Sequence, residues 1–317
     1  MDSKMTNIGH LKKGDCVALA APARAVNPEE MAPAIAMMQS WGLEVVIPDG
    51  LYQREGQLAG SDSHRAALMQ GLLDNPDIKA IICCRGGYGT VRIVDRLDFS
   101  RFAQHPKWIV GYSDITVLHS HIHRVLGLPT LHATMPINFP ADLHPTLATE
   151  SLRRALFEEQ MDIEWQQPED EECTAGLPSD RDYCLRNVEI VGGNLSILYS
   201  LMGSHSQIDT RGKVLLVEDL DEYLYHIDRM MQTLKRSGML DSLEALLVGG
   251  MSDMHDNATP FGRTAEQIVR EAVEGRPYPV IFGAPFGHLG DNNLALPLGT
   301  KCTLEVSISK KCRIFAP

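Results

Sequence analysis

Residues 78–84, Ile-Lys-Ala-Ile-Ile-Cys-Cys, form an apolar run with Lys79 as its one charged break. A strand that is apolar on both faces must be covered on both faces, which antiparallel surface sheets do not provide. Similar short runs occur at 16–20, 43–47 and 108–110, separated by helix-length amphipathic segments at 31–41 and 63–73. A further helical pattern spans 114–126. This alternation predicts an α/β fold with a parallel sheet and helices on both faces. Such sheets carry their sites at the carboxyl ends of the strands. Three segments are expected there: Ala21-Pro22-Ala23, Arg85-Gly86-Gly87-Tyr88-Gly89 and Gly111-Tyr112-Ser113-Asp114.

The chain has 317 residues, room for two ordinary domains. Periodicity fades between residues 160 and 183, where Pro168, Gly176 and Pro178 accompany a run of acids. The expected division is a domain over 1–165, a linker over 166–182 and a second domain over 183–317. The second half reads as mixed α+β. Strands are expected at 214–217, 243–248 and 302–308, with helices from Gly192-Gly193-Asn194 to 202 and over 225–240.

A net charge of −12 makes a nucleic-acid backbone an unsuitable partner. No stretch approaches ~18 apolar residues, so no membrane span is expected. The polar first residues carry no hydrophobic signal segment, and the odd cysteine count fits reduced thiols; both point to a cytoplasmic protein.

The segment Gly111-Tyr112-Ser113-Asp114 has the layout of a nucleophile elbow, a strand turning sharply into a helix with a serine at the corner. The helix N-terminal amides beside that serine can stabilise a negative oxygen. Ile115 stands where the last glycine of Gly-x-Ser-x-Gly would be, and a serine here also serves as an ordinary helix cap. Serine catalysis further needs an imidazole to take the proton and a carboxylate to orient it. Glu218, at the end of an apolar strand, and His288, in a loop between strands, are candidates, although no spacing rule links them to Ser113. The glycines of 85–89 permit close backbone approach, either as a turn or as a second oxyanion donor. His119 and His123 stand four apart on one helix, and Asp253, His255 and Asp256 cluster in a loop. Both groups read better as structural or solvated than as metal ligands.

Taken together, Ala20-Ala21-Pro22-Ala23, Arg85-Gly86-Gly87-Tyr88-Gly89, Gly111-Tyr112-Ser113-Asp114-Ile115-Thr116, Gly192-Gly193-Asn194-Leu195, Leu216-Val217-Glu218-Asp219, His226-Ile227-Asp228-Arg229 and Phe286-Gly287-His288 resemble the LD-carboxypeptidase family. That family includes murein tetrapeptide carboxypeptidases and microcin C immunity peptidases. The resemblance implies a Ser113–Glu218–His288 triad and oxyanion donors at the amides of Gly87 and Asp114. It implies a flavodoxin-like first domain carrying Ser113. Glu218 and His288 would come from a second domain with a barrel-like sheet, the site forming where the two domains meet. It implies a small peptide substrate, a murein tetrapeptide cleaved between the L-centre of a diamino acid and a terminal D-alanine, in cytoplasmic cell-wall recycling by a homodimer. No metal or cofactor is called for. Arg85 is the expected contact for the free carboxylate, with Tyr112 as a neighbouring substrate contact. Two alternatives are a hydrolase of acyl-adenylate-like amides and a non-catalytic small-molecule binding protein.

Overall fold

The structure, a computed structural model, describes residues 8–158, 160–168 and 182–316. Its contacts divide it into two compact units, Met1–Glu159 with Gly290–Pro297, and Gln160–Leu289 with Leu298–Pro317. Residues 169–181 of the expected linker lie outside the described residues.

In the first unit, β1 (Cys16–Ala20), β2 (Glu44–Val46), β3 (Ile78–Cys83), β4 (Trp108–Gly111) and β5 (Thr130–His132) pair in parallel in the order β2-β1-β3-β4-β5. This is the flavodoxin-like order. A short strand from late in the chain, Leu296–Leu298, lies beyond β5. Every residue of β4 is buried, and in β3 only Lys79 is exposed. The doubly apolar pattern is therefore used as a central-strand pattern. The connecting helices are α1 (Pro28–Ser40), α2 (Asp62–Asp74), α3 (Ser100–Gln104), α4 (Thr116–Leu126) and α5 (Leu147–Phe157). Local chemistry sets their ends. Asn27 and Glu30 form a capping box at α1, and Gly127 closes α4 with a left-handed φ of 64°. Leu19, Ile82, Val110, Met38 and Leu152 belong to the core of this unit.

The second unit holds β6 (Met161–Gln166), β7 (Tyr183–Asn194), α6 (Leu195–Ser200), β8 (Val214–Leu220), α7 (Leu224–Arg236), β9 (Ala245–Ser252), α8 (Ala265–Ala272), β10 (Val280–Ile281), β12 (Lys301–Val306) and β13 (Lys311–Ala316), the strand Leu296–Leu298 being β11. Its sheet runs β10-β9-β8-β7-β12-β13-β6, parallel from β10 to β7 and antiparallel from β7 to β6. Among the described residues β10 and β6 are its edges, so the sheet is open rather than a closed barrel. The helix α7 buries Ile227, Met230, Met231 and Leu234, one stripe at helical spacing, against this sheet's core.

Several element boundaries differ from the sequence reading. The helix expected over 114–126 is preceded by a 3₁₀ turn, Ser113–Ile115, and becomes α-helical only at Thr116, after the left-handed Ser113 with its φ of 61°. The strand expected to stop at 248 continues through Gly249 and Gly250 to Ser252 as β9. The stretch after residue 300 is a hairpin of two strands, β12 and β13, not one. The strand β6 lies at a sheet edge within the stretch read as losing its periodicity, although Met161, Ile163 and Trp165 alternate with polar residues in the pattern of a half-buried strand. Among the described residues no helix is long and apolar enough to cross a membrane.

Candidate active site

In the first unit the site is built at the carboxyl ends of β1, β3 and β4. Gly111 ends β4, and Ser113 follows with its backbone in the left-handed region. A non-glycine residue there is strained, and such strain is characteristic of nucleophile elbows. The corner closes because Gly111 has no side chain. A Cβ at that position would stand 2.8 Å from Ile115 Cγ1, so Ile115 fills the space that a glycine would leave empty in Gly-x-Ser-x-Gly.

Gly86, in the loop after β3, lies directly against the serine. A Cβ on it would come within 2.9 Å of Ser113 Cβ, 3.0 Å of Ser113 Oγ and 3.3 Å of the Asp114 amide nitrogen. The following residue, Gly87, has a φ of 100°. This glycine loop is tied to the elbow by Asp114, whose buried carboxylate accepts the Thr90 amide at 2.9 Å. Burial pushes that carboxyl upward, and its hydrogen bonds to Thr90 only partly offset the effect. Arg65, wholly buried on α2, donates Nη1 to the carbonyls of Pro22 and Gly89, bracing the loops after β1 and β3 together.

Below the elbow, His119 Nε2 donates to the Gly111 carbonyl at 2.9 Å, and the Ala133 amide donates to the same oxygen at 3.1 Å. Burial lowers the His119 imidazole to about 4, so it is neutral near pH 7. Tyr112 is buried, with its ring centroid 5.9 Å from that of His132 and its hydroxyl accepting from Asn138 Nδ2 at 2.7 Å. Arg85 is half-buried and faces Glu30 at 3.8 Å.

In the second unit, Glu218 lies near the end of β8, fully buried. Its Oε2 accepts His288 Nδ1 at 2.7 Å and the His288 backbone amide at 3.3 Å. Three glycines make the approach possible. The register of β9 against β8 shifts between Val217 and Asp219, placing Gly249 and Gly250 in a bulge beside Glu218. The Phe286 carbonyl docks there, accepting the Gly250 amide at 2.9 Å; a Cβ on Gly249 would meet that carbonyl at 2.4 Å. Gly287 has a φ of 98°, and a Cβ on it would stand 2.4 Å from Glu218 Oε2. Ser252 Oγ donates to the His288 carbonyl at 2.6 Å and holds the loop from the far side. The roles of Gly249, Gly250 and Ser252 were not read from the sequence, although a glycine pair inside an apolar strand is itself a bulge signal.

Burial pushes the His288 imidazole down, but the hydrogen bond and negative charge of Glu218, with the charge of Asp219, outweigh it and leave the ring raised. Asp219 points away from Glu218 along the strand's alternation. It accepts Asn194 Nδ2 at 3.0 Å and the Ser196 amide at 2.9 Å, tying β8 to the start of α6. Burial and the neighbouring Glu218 charge raise it to about 7.

The histidine and acid clusters have other partners. His119 bonds Gly111, and His255 pairs with Asp221. Among the described residues no group of three or more His, Cys, Asp or Glu is placed to hold a metal ion.

The fold and these two side-chain groups define a two-unit α/β protein with a strained serine in one unit and a buried Glu–His pair in the other. Comparison with known proteins agrees. Residues 17–133 match the LD-carboxypeptidase N-terminal domain and residues 188–304 the LD-carboxypeptidase C-terminal domain. The chain is 36% identical to a probable murein peptide carboxypeptidase of Bacillus subtilis (strain 168), covering 94% of this chain and 91% of that protein. It superposes on the crystal structure of muramoyltetrapeptide carboxypeptidase from Oxalobacter formigenes with a TM-score of 0.81 and 27% identity, covering 94% and 98% of the two chains. The microcin C7 self-immunity protein MccF in complex with aspartyl sulfamoyl adenosine shares the fold, with a TM-score of 0.81 at 23% identity over 97% and 98%. The chain belongs to the LD-carboxypeptidase family.

Proposed function

We propose that this protein is a serine LD-carboxypeptidase that removes the terminal D-alanine from a murein tetrapeptide, with Ser113, His288 and Glu218 as its triad. The observation that carries the reading is the fully buried Glu218 carboxylate bound to His288 Nδ1 at 2.7 Å. A carboxylate on Nδ1 fixes the tautomer in which Nε2 accepts a proton. His288 takes the proton of Ser113 as Oγ attacks the amide carbonyl joining the L-centre to D-alanine. The amides of Gly87 and Asp114 receive the oxygen that becomes negative, in keeping with Gly86 lying against both Ser113 Oγ and the Asp114 nitrogen. His288 returns the proton to the leaving D-alanine nitrogen, and the C–N bond breaks. Water then attacks the acyl-serine, again with His288 as base, and regenerates Ser113.

The names of the Bacillus and Oxalobacter relatives support the substrate class. The same reading takes the protein as a cytoplasmic homodimer in cell-wall recycling, an inference from family resemblance. The test is to incubate the protein with murein tetrapeptide and quantify free D-alanine and tripeptide. Release by the wild type and its loss in Ser113→Ala, with the circular dichroism spectrum unchanged, is the expected outcome. Undiminished release by Ser113→Ala refutes the assignment.

A further inference from the structure

A carboxypeptidase has a requirement that other serine hydrolases lack: the leaving amino acid carries a free carboxylate. Its carbon is only three bonds from the attacked carbonyl carbon. The cation that binds it must therefore sit within a side chain's length of the nucleophile. Most arginines around the glycine loop are already engaged by acids. Arg65 is buried and pairs with Asp62, Arg92 pairs with Asp62 at 2.8 Å, and Arg85 faces Glu30 at 3.8 Å.

Arg24 differs. It follows β1, and the strand order β2-β1-β3 makes the space between the loops after β1 and β3 the topological switch point of the sheet. Its backbone is clamped, since the flanking residues bond the 57–59 segment: Ala25 donates to the Gln57 carbonyl at 2.9 Å, and Ala59 donates to the Ala23 carbonyl at 3.1 Å. Its side chain lies over Gly87, where a Cβ would stand 2.5 Å from Arg24 Cδ and 3.0 Å from Nε. The preceding residue, Gly86, abuts Ser113 Oγ. Successive α-carbons are about 3.8 Å apart. One glycine of the pair thus carries the serine and the next carries the arginine.

The exposed guanidinium is oriented by a neutral group. Nε and Nη2 donate to Gln57 Oε1 at 3.3 and 3.0 Å, and among the described residues Arg24 pairs with no carboxylate. An amide acceptor aims the fork without cancelling its charge, leaving Nη1 for an incoming anion.

We propose that Arg24 binds the terminal carboxylate of the leaving residue. The assignment rests on the carboxypeptidase reading and adds to it the residue that makes cleavage depend on a free chain end. The test compares murein tetrapeptide with the same peptide amidated at its terminal D-alanine, using wild type, Arg24→Gln, Arg24→Lys and Arg85→Gln. The wild type is expected to prefer the free acid. Arg24→Gln is expected to raise KM for the acid roughly 10- to 100-fold, change kcat little and abolish the preference, with Arg24→Lys in between. Labelling of Ser113 by a fluorophosphonate should proceed at the wild-type rate in Arg24→Gln, separating carboxylate binding from damage to the elbow. Retention of the preference in Arg24→Gln, its loss only in Arg85→Gln, or slowed labelling in Arg24→Gln overturns the assignment. Release of D-alanine from neither peptide by the wild type sinks the carboxypeptidase reading itself, and Arg24's role with it.

Discussion

A single oxygen of Glu218 holds both the ring and the backbone of His288, accepting Nδ1 at 2.7 Å and the amide at 3.3 Å from a fully buried position. The negative charge and the geometry act together here. Glu218→Gln keeps the side-chain volume and offers one acceptor, but removes the charge that stabilises imidazolium. It also lets the amide turn a donor toward the ring. The expected result is a fall in kcat of roughly 10³- to 10⁴-fold with the fold intact, measured as D-alanine release alongside thermal unfolding. A loss below tenfold would show that the pair is not catalytic.

The same pair fixes the direction of the pH dependence. In the proposed triad His288 is a base only when neutral, and Glu218 and Asp219 hold its proton more firmly than burial expels it. The acidic limb of kcat/KM is therefore expected above the ordinary imidazole value of about 6.5. Activity falls as the pH drops through that limb because the base becomes protonated. Glu218→Gln should move the limb to lower pH, since burial then acts with less opposition. A limb that stays in place in the variant assigns it to another group.

Gly86 supplies a test confined to the first unit. Its φ lies outside the left-handed region that favours glycine, so alanine there brings a clash rather than backbone strain. The added methyl would lie 2.9 Å from Ser113 Cβ, closer than real contacts allow, and 3.0 Å from Oγ, tighter than nearly all of them. The serine must shift by a few tenths of an ångström or more. Gly86→Ala is expected to lower kcat/KM by roughly 10²-fold while leaving the melting temperature within a few degrees. The paired measurement is fluorophosphonate labelling, which should slow in parallel. Full activity would mean that the loop stands further from Ser113 than the structure places it.

How much of this was readable from the sequence depends on how local each signal is. The Ser113 corner was legible because strand, glycine, serine and helix follow one another within ten residues. Its left-handed backbone was not, since serine has no preference for that region. The first sheet was legible because β1, β3 and β4 are buried on both faces, which leaves an unbroken apolar run. The Glu218–His288 pair was not visible from the residues themselves. It depends on a contact 70 residues apart, made by docking the Phe286 carbonyl on the Gly249–Gly250 bulge. The residues alone presented a carboxylate among several acids and one histidine of 12; family resemblance singled them out. The strands β6 and β13 pair across even greater separations, as in the contact of Arg313 with Asp162, 151 residues away, and the edge strand β6 carries an alternating pattern rather than a doubly apolar run.

His119 links the elbow's geometry to stability. Its imidazole is buried and neutral, held at about 4 against an ordinary 6.5, while its Nε2–H holds the Gly111 carbonyl at 2.9 Å. In the unfolded chain the same ring takes up a proton near 6.5. Between pH 6.5 and 4 the unfolded state therefore binds more protons than the folded one. This contribution to stability is complete above 6.5, declines as the pH falls and is lost below about 4. The difference of roughly two and a half pH units corresponds to about 3 kcal/mol. His119→Gln keeps an amide donor for Gly111 but cannot titrate. Urea unfolding of the two proteins at matched pH isolates the effect from the carboxylates that titrate in the same window. The wild type is expected to lose about 3 kcal/mol more than the variant between pH 7 and pH 4. A stability gap that stays constant across that range would show that the ring beneath the elbow is not held neutral, and that burial around Gly111 is looser than these contacts require.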